Sequence, residues 1–187
     1  MKVYFDASPR RLDEYKNKYK QIVEILEDLG HEMTSRWILD FDESFYDMPR
    51  KEWSQHYRKI MGEVERADVV VVDISVSSTS IGQIIQYSLM AKKPVVVLRD
   101  HHVESHLFLE GAGDVESKLI VVEYDLSNVE KKLKEAFLYV EEWMMESRFT
   151  LIVDGETRRL LDDAVERGES RSDYIRRLIR DDVRKMK

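Results

Sequence analysis

Hydrophobic positions in the first ~125 residues switch repeatedly between a strand period and a helix period. Residues 3–6 form a short apolar strand. Tyr15, Tyr19, Ile22, Val23, Leu26 and Leu29 then share one face at helical spacing, and Gly30 ends that helix. Residues 31–35 begin an extended segment, and residues 36–49 are polar and aromatic without a period, which predicts a loop. A helix over 50–66 leads into a strand over 67–74, a Ser-rich turn over 75–80 and a helix over 81–91. Further strands follow at 95–98 and 119–123, separated by an irregular stretch over 99–117. A long helix over 128–146 carries Val129, Leu133, Phe137, Val140 and Met144 as its apolar seam. Strands separated by helices imply right-handed crossovers and a doubly wound parallel sheet, an α/β fold. Ligands of such sheets sit beyond the carboxyl ends of the strands, so loops 6–11, 75–82 and 99–105 are the candidate site loops.

From residue 147 the pattern changes. Phe149, Leu151 and Val153 alternate as a strand, Asp154 caps a helix buried through Leu160, Leu161, Ala164 and Val165, and Gly168 closes it. A last helix after Ser170-Arg171-Ser172 turns Ile175, Leu178, Ile179 and Val183 inward. One strand and two helices leave an unpaired edge and more apolar surface than one copy covers, which predicts a homodimer through paired strands. Two domains follow, 1–146 and 147–187.

Composition narrows the possibilities. The chain has 187 residues, 43% hydrophobic, with three Trp, nine Tyr and six Phe, and no apolar run near the ~20 residues of a membrane span. The opening residues run straight into strand-like sequence, so no signal peptide is expected, and the absence of cysteine removes disulfide and thiolate chemistry. The expected location is the cytoplasm. Net charge is −7, but the segment from Ser147 carries 11 Lys and Arg against 9 Asp and Glu, while the remainder carries 19 against 28. An acidic domain joined to a weakly basic module permits a nucleic-acid partner.

The strand–helix–turn–helix of residues 147–187 resembles the ribbon-helix-helix family of repressors and antitoxins. The resemblance implies double-stranded DNA as a partner. Arg148, Thr150 and Ile152 would enter the major groove, and Ser170, Arg171 and Ser172 would grip a backbone phosphate. Ile152 departs from the polar residue usual there.

Residues 1–125 resemble the nucleoside 2-deoxyribosyltransferase superfamily, particularly the 2′-deoxynucleoside 5′-phosphate N-hydrolases. Val3-Tyr4-Phe5-Asp6-Ala7-Ser8 is similar to the opening strand and loop, Leu29-Gly30-His31-Glu32 to the next turn, and the segment from Ala67 to Ser75 to the central strand. Ser77 to Pro94 resembles the active-site helix with its Lys-Pro exit. The resemblance implies sugar and phosphate contacts from Tyr4, Ser8, Arg10, Ser78, Gly82 and Ser105. It also implies two catalytic carboxylates, and here Ile60 and Ile84 stand at those positions. No catalytic residue is therefore assigned.

Three other constellations carry chemistry. His102 and His106 stand four apart with Glu104 between them, a spacing that could present a metal pair on a helix, but no third ligand is evident. Contacts with solvent or phosphate are the expectation there, with no metal and no cofactor. Glu63 lies one helical turn after Ile60 and reads as a surface residue or a substitute acid. Asp73 ends the central strand as a ribose contact or a structural cap. Together these features predict a DNA-binding transcription regulator whose silent first domain senses a nucleoside monophosphate. An active N-glycosidase or transferase on deoxynucleotides with displaced carboxylates is the alternative, and an antitoxin is a third possibility.

Overall fold

A computed structural model describes residues 1–104, 107–113, 118–145 and 152–185. The chain divides into two units, Met1–Glu146 and Ser147–Lys187.

The first unit runs β1 (Lys2–Ala7), α1 (Leu12–Asp28), β2 (Glu32–Met33), α2 (Trp37–Asp40), a 3-10 turn (Glu43–Asp47) and α3 (Arg50–Arg66). It continues through β3 (Val69–Asp73), α4 (Thr79–Met90), β4 (Val95–Asp100), α5 (Leu107–Gly113), β5 (Leu119–Tyr124) and α6 (Val129–Met145). The five strands form one sheet in the order β2-β1-β3-β4-β5. Every pair is parallel. All five residues of β3 are buried because helices cover both faces of the sheet, which explains its unbroken valine run.

Side-chain alternation divides the core in two. Val3 and Phe5 of β1, Val69 and Val71 of β3, and Val96 and Leu98 of β4 pack with α1 and α6. Tyr4, Val70, Val72, Val95 and Val97 point the other way, to Ile60 and Val64 of α3 and Ile81, Ile84 and Ile85 of α4. After α1, Gly30 adopts φ +83°, and the His31 amide donates back to the Leu26 carbonyl at 3.1 Å. That left-handed turn returns the chain toward β2.

Three segments differ from the sequence expectation. Residues 36–49 hold α2 and the 3-10 turn, because Trp37, Phe41 and Phe45 pack as an aromatic cluster with centroids 5.2–5.9 Å apart. Elements this short carry too few residues to show a period. The irregular stretch contains α5, and of residues 31–35 only Glu32 and Met33 pair in the sheet.

The second unit contains α7 (Gly155–Glu166) and α8 (Arg171–Lys185). Asp154 caps α7 by accepting from the Thr157 amide at 2.8 Å. Leu161 and Ala164 are buried, while Leu160, Val165, Leu178, Ile179 and Val183 are about half exposed. Of the strand expected over 148–153, residues 148–151 lie outside the described residues, and Ile152 and Val153 belong to no strand. No helix among the described residues is long and apolar enough to cross a membrane.

Candidate active site

The sheet reverses its strand order at β1, whose neighbours are β2 on one side and β3 on the other. A crevice outside the strand ends is expected at such a switch point. Asp6 stands there, in register with Val72 of β3 and on the same side of the sheet as Tyr4. Its side chain is 2% exposed. Oδ2 accepts from the Tyr4 hydroxyl at 2.8 Å, and Oδ1 accepts from the Ala7 amide at 2.8 Å and the Trp37 indole at 3.0 Å. Burial pushes the Asp6 carboxyl up to about 7 even though all three donors favour its charged form. A carboxylate offers about four lone-pair sites, so three donors leave one to accept from a ligand or water.

Asp6 opens onto a cavity of about 310 Å³ between the end of β1, the aromatic segment of residues 37–48, and helices α3 and α4. Trp37, Phe45 and His56 form part of its wall, and Trp53 and Tyr57, more than half exposed, line it from α3. His56 packs edge-on against Phe45 at 4.5 Å, and burial and the charge of Lys59 hold its pKa below the usual imidazole range. Ile60 and Ile84 are 8% and 5% exposed and line the cavity without closing it. The two positions where the resembled family keeps carboxylates are thus apolar wall.

A second depression adjoins the first at the start of α4, sharing Ser78 and Ile81 with it. Arg10, Ser77, Thr79 and Gly82 also line it. Ser78 caps the helix, its hydroxyl accepting from the Ile81 amide at 3.5 Å. Hydroxyls, a guanidinium and free amides at a helix N-terminus favour an anion.

The structure therefore brings Arg10, Ser78 and Gly82 together. Tyr4 is fully buried and does not line the cavity; its hydroxyl positions Asp6 instead. Ser8 is buried as well, its hydroxyl accepting from the Arg10 amide at 3.3 Å to shape the loop. Ser105 lies outside the described residues. Glu63 is buried beside Arg66 at 2.5 Å, and it is absent from the cavity wall. Asp73 shares its face with Ala7, opposite Asp6, and accepts from the Tyr124 hydroxyl at 2.7 Å and the Ser75 amide at 2.9 Å. Burial lifts Asp73 to about 6, and its bonds mark a structural group.

In the second unit, Arg148 and Thr150 lie outside the described residues, and Ile152 is almost fully exposed. Ser170 donates to the Asp173 carboxylate at 2.6 Å and accepts from the Asp173 amide at 3.1 Å, and Arg171 pairs with Asp162 at 2.5 Å. Two of the three groups expected to grip a phosphate are thus engaged within the unit, while Ser172 is exposed.

Sequence reasoning put Asp6 at the start of a candidate site loop without giving it a role, and it missed Trp37 and His56. The available signal was a carboxylate two residues after Tyr4 in an apolar strand, which puts both on one face.

No family model matches the chain. It is 27% identical over 136 residues to a protein of Syntrophotalea carbinolica (strain DSM 2380 / NBRC 103641 / GraBd1) named as a 2′-deoxynucleoside 5′-phosphate N-hydrolase, covering 72% of this chain and 93% of that one. Among solved structures, the Clostridium botulinum CMP N-glycosidase BcmB matches with a TM-score of 0.52 and 18% identity, over 74% of this chain and 99% of that one. The two share a fold. These likenesses correct the expectation of a DNA-binding transcription regulator, because both relatives are named for cleavage at a nucleotide's N-glycosidic position.

Proposed function

We propose that the first unit hydrolyses the N-glycosidic bond of a nucleoside 5′-monophosphate, with Asp6 in place of the carboxylates lost at Ile60 and Ile84. The observation that carries this reading is Asp6 itself. It is a buried carboxyl poised near neutral pH, oriented by three donors, with one acceptor site left at an aromatic-walled cavity. A carboxylate so occupied suits a general base better than a nucleophile, because attack on carbon would break the bonds that hold it. The nucleobase stacks among Trp37, Trp53 and Tyr57, and the phosphate lies at the adjoining depression with Arg10 and Ser78. A water molecule bonded to Asp6 attacks the anomeric carbon. The new C–O bond forms as the C–N bond breaks, its electron pair leaving with the base. Asp6 takes the water's proton and releases it to solvent, and solvent returns one proton to a ring nitrogen of the departing base, so that the water is divided between sugar and base. His56 stands on the same wall, its pKa held below the usual imidazole range by burial and then by the charge of Lys59. The relatives named for this chemistry support the reading.

The test is chromatography of free base released from a panel of ribonucleoside and 2′-deoxynucleoside 5′-monophosphates. Base released by the parent and abolished in Asp6→Asn is the expected result, and no release from any member of the panel overturns the proposal.

For the second unit we infer pairing with another copy of the chain, in the ribbon-helix-helix manner. Five apolar side chains on α7 and α8 are about half exposed in a unit of 41 residues. So small a unit does not bury enough surface alone.

A further inference from the structure

We infer that Asp100, His101 and His102 form a binding site for a transition-metal dication of the zinc type, separate from the Asp6 cavity. The end of β4 runs from Asp100 straight into the two histidines, and one ligand atom from each of the three lies within 4.8 Å of the others. The imidazole rings lie side by side with centroids 3.7 Å apart and planes tilted by 41°, and His101 Nδ1 is 3.5 Å from Asp100 Oδ1.

This is an anchored arrangement. The Asp100 side chain is 5% exposed and paired with Lys18 through Oδ2. Its amide donates to the Ser75 hydroxyl at 2.9 Å, and its Oδ1 accepts from the His102 amide at 3.0 Å. The His101 amide is tied to the Tyr124 carbonyl at 2.9 Å, and the Val103 amide closes a turn onto the Asp100 carbonyl at 2.9 Å. The carboxylate is therefore fixed, while both imidazoles are exposed to an arriving ion. Oδ1 keeps a lone pair beyond its bond from the His102 amide. Closing the three atoms onto one ion needs only rotation of exposed imidazoles.

Ligand chemistry selects the ion. Two imidazole nitrogens and one carboxylate oxygen suit Zn²⁺, Co²⁺, Ni²⁺ or Cu²⁺, whereas Mg²⁺ and Ca²⁺ prefer oxygen alone. Three protein ligands leave at least one position for water. Lys18 opposes the ion, since its ammonium already holds the other oxygen of Asp100. None of the three ligands lines the Asp6 cavity, so the site stands or falls independently of the proposed hydrolysis.

Isothermal titration calorimetry of the full chain with ZnCl₂ tests this, with CoCl₂ absorption reporting ligand geometry. Saturable uptake of one ion per chain is expected. Either single variant, His101→Ala or His102→Ala, should bind at least about tenfold more weakly, because losing a ligand costs no less than losing a group that merely orients one. The double variant should show no saturable uptake, and Lys18→Met should bind more tightly than the parent. Both histidines are exposed, so circular dichroism of the double variant should match the parent. No saturable uptake by the parent, or uptake unchanged in the double variant, overturns the proposal.

Discussion

Asp6, Asp73 and Asp100 each end or nearly end a strand, and all three are at most 3% exposed. In sequence they look alike. What separates them is the face each side chain takes and the group it meets: a cavity for Asp6, the Tyr124 hydroxyl for Asp73, Lys18 for Asp100. Alternation from Tyr4 assigns Asp6 its face, but which face holds the cavity depends on how α3 and α4 pack, and that is not written in β1. Two predictions belong at this scale. Replacing Asp6 by Asn should lower base release at least about 100-fold, as for removal of a general base, and activity of the parent should rise as pH passes upward through about 7. Stability should move the opposite way. The folded chain holds a proton on Asp6 that the unfolded chain releases between its ordinary value of 3.8 and about 7, so stability falls as pH rises across that window. Urea midpoints measured from pH 4 to 8 should decline less steeply in Asp6→Asn than in the parent. An identical slope in the two proteins would place the burial effect on other groups.

Among the elements, long helices with a full apolar stripe and the valine strands were legible, because the pattern repeats enough to fix a period. The short pieces α2 and the 3-10 turn were not, because aromatic contacts with Trp37 and His56 hold them. That misreading mattered, since Trp37 is the residue that brings an indole donor to Asp6. The turn after α1 offers a direct test. Gly30 has φ +83° and open space where a Cβ would project, so Gly30→Ala adds backbone strain without a clash. It should lower unfolding stability by about 1 kcal/mol, measured by chemical denaturation, and leave substrate affinity unchanged.

Over the first unit, the resemblance of the first ~125 residues to a nucleotide-cleaving superfamily foretold the parallel sheet, while Ile60 and Ile84 at that superfamily's carboxylate positions gave no pointer to the role proposed for Asp6. The second unit makes its own prediction. Leu178→Glu together with Ile179→Glu places two charges on the half-exposed face of α8, and sedimentation velocity should show a smaller species than the parent. Parent and variant sedimenting alike would remove α8 from any self-contact. The sheet itself constrains how copies can meet. One of its edges is β2, a strand of only two residues. So short a border gives an incoming backbone almost no ladder to extend, which guards that side of the domain against edge-to-edge aggregation during synthesis and storage.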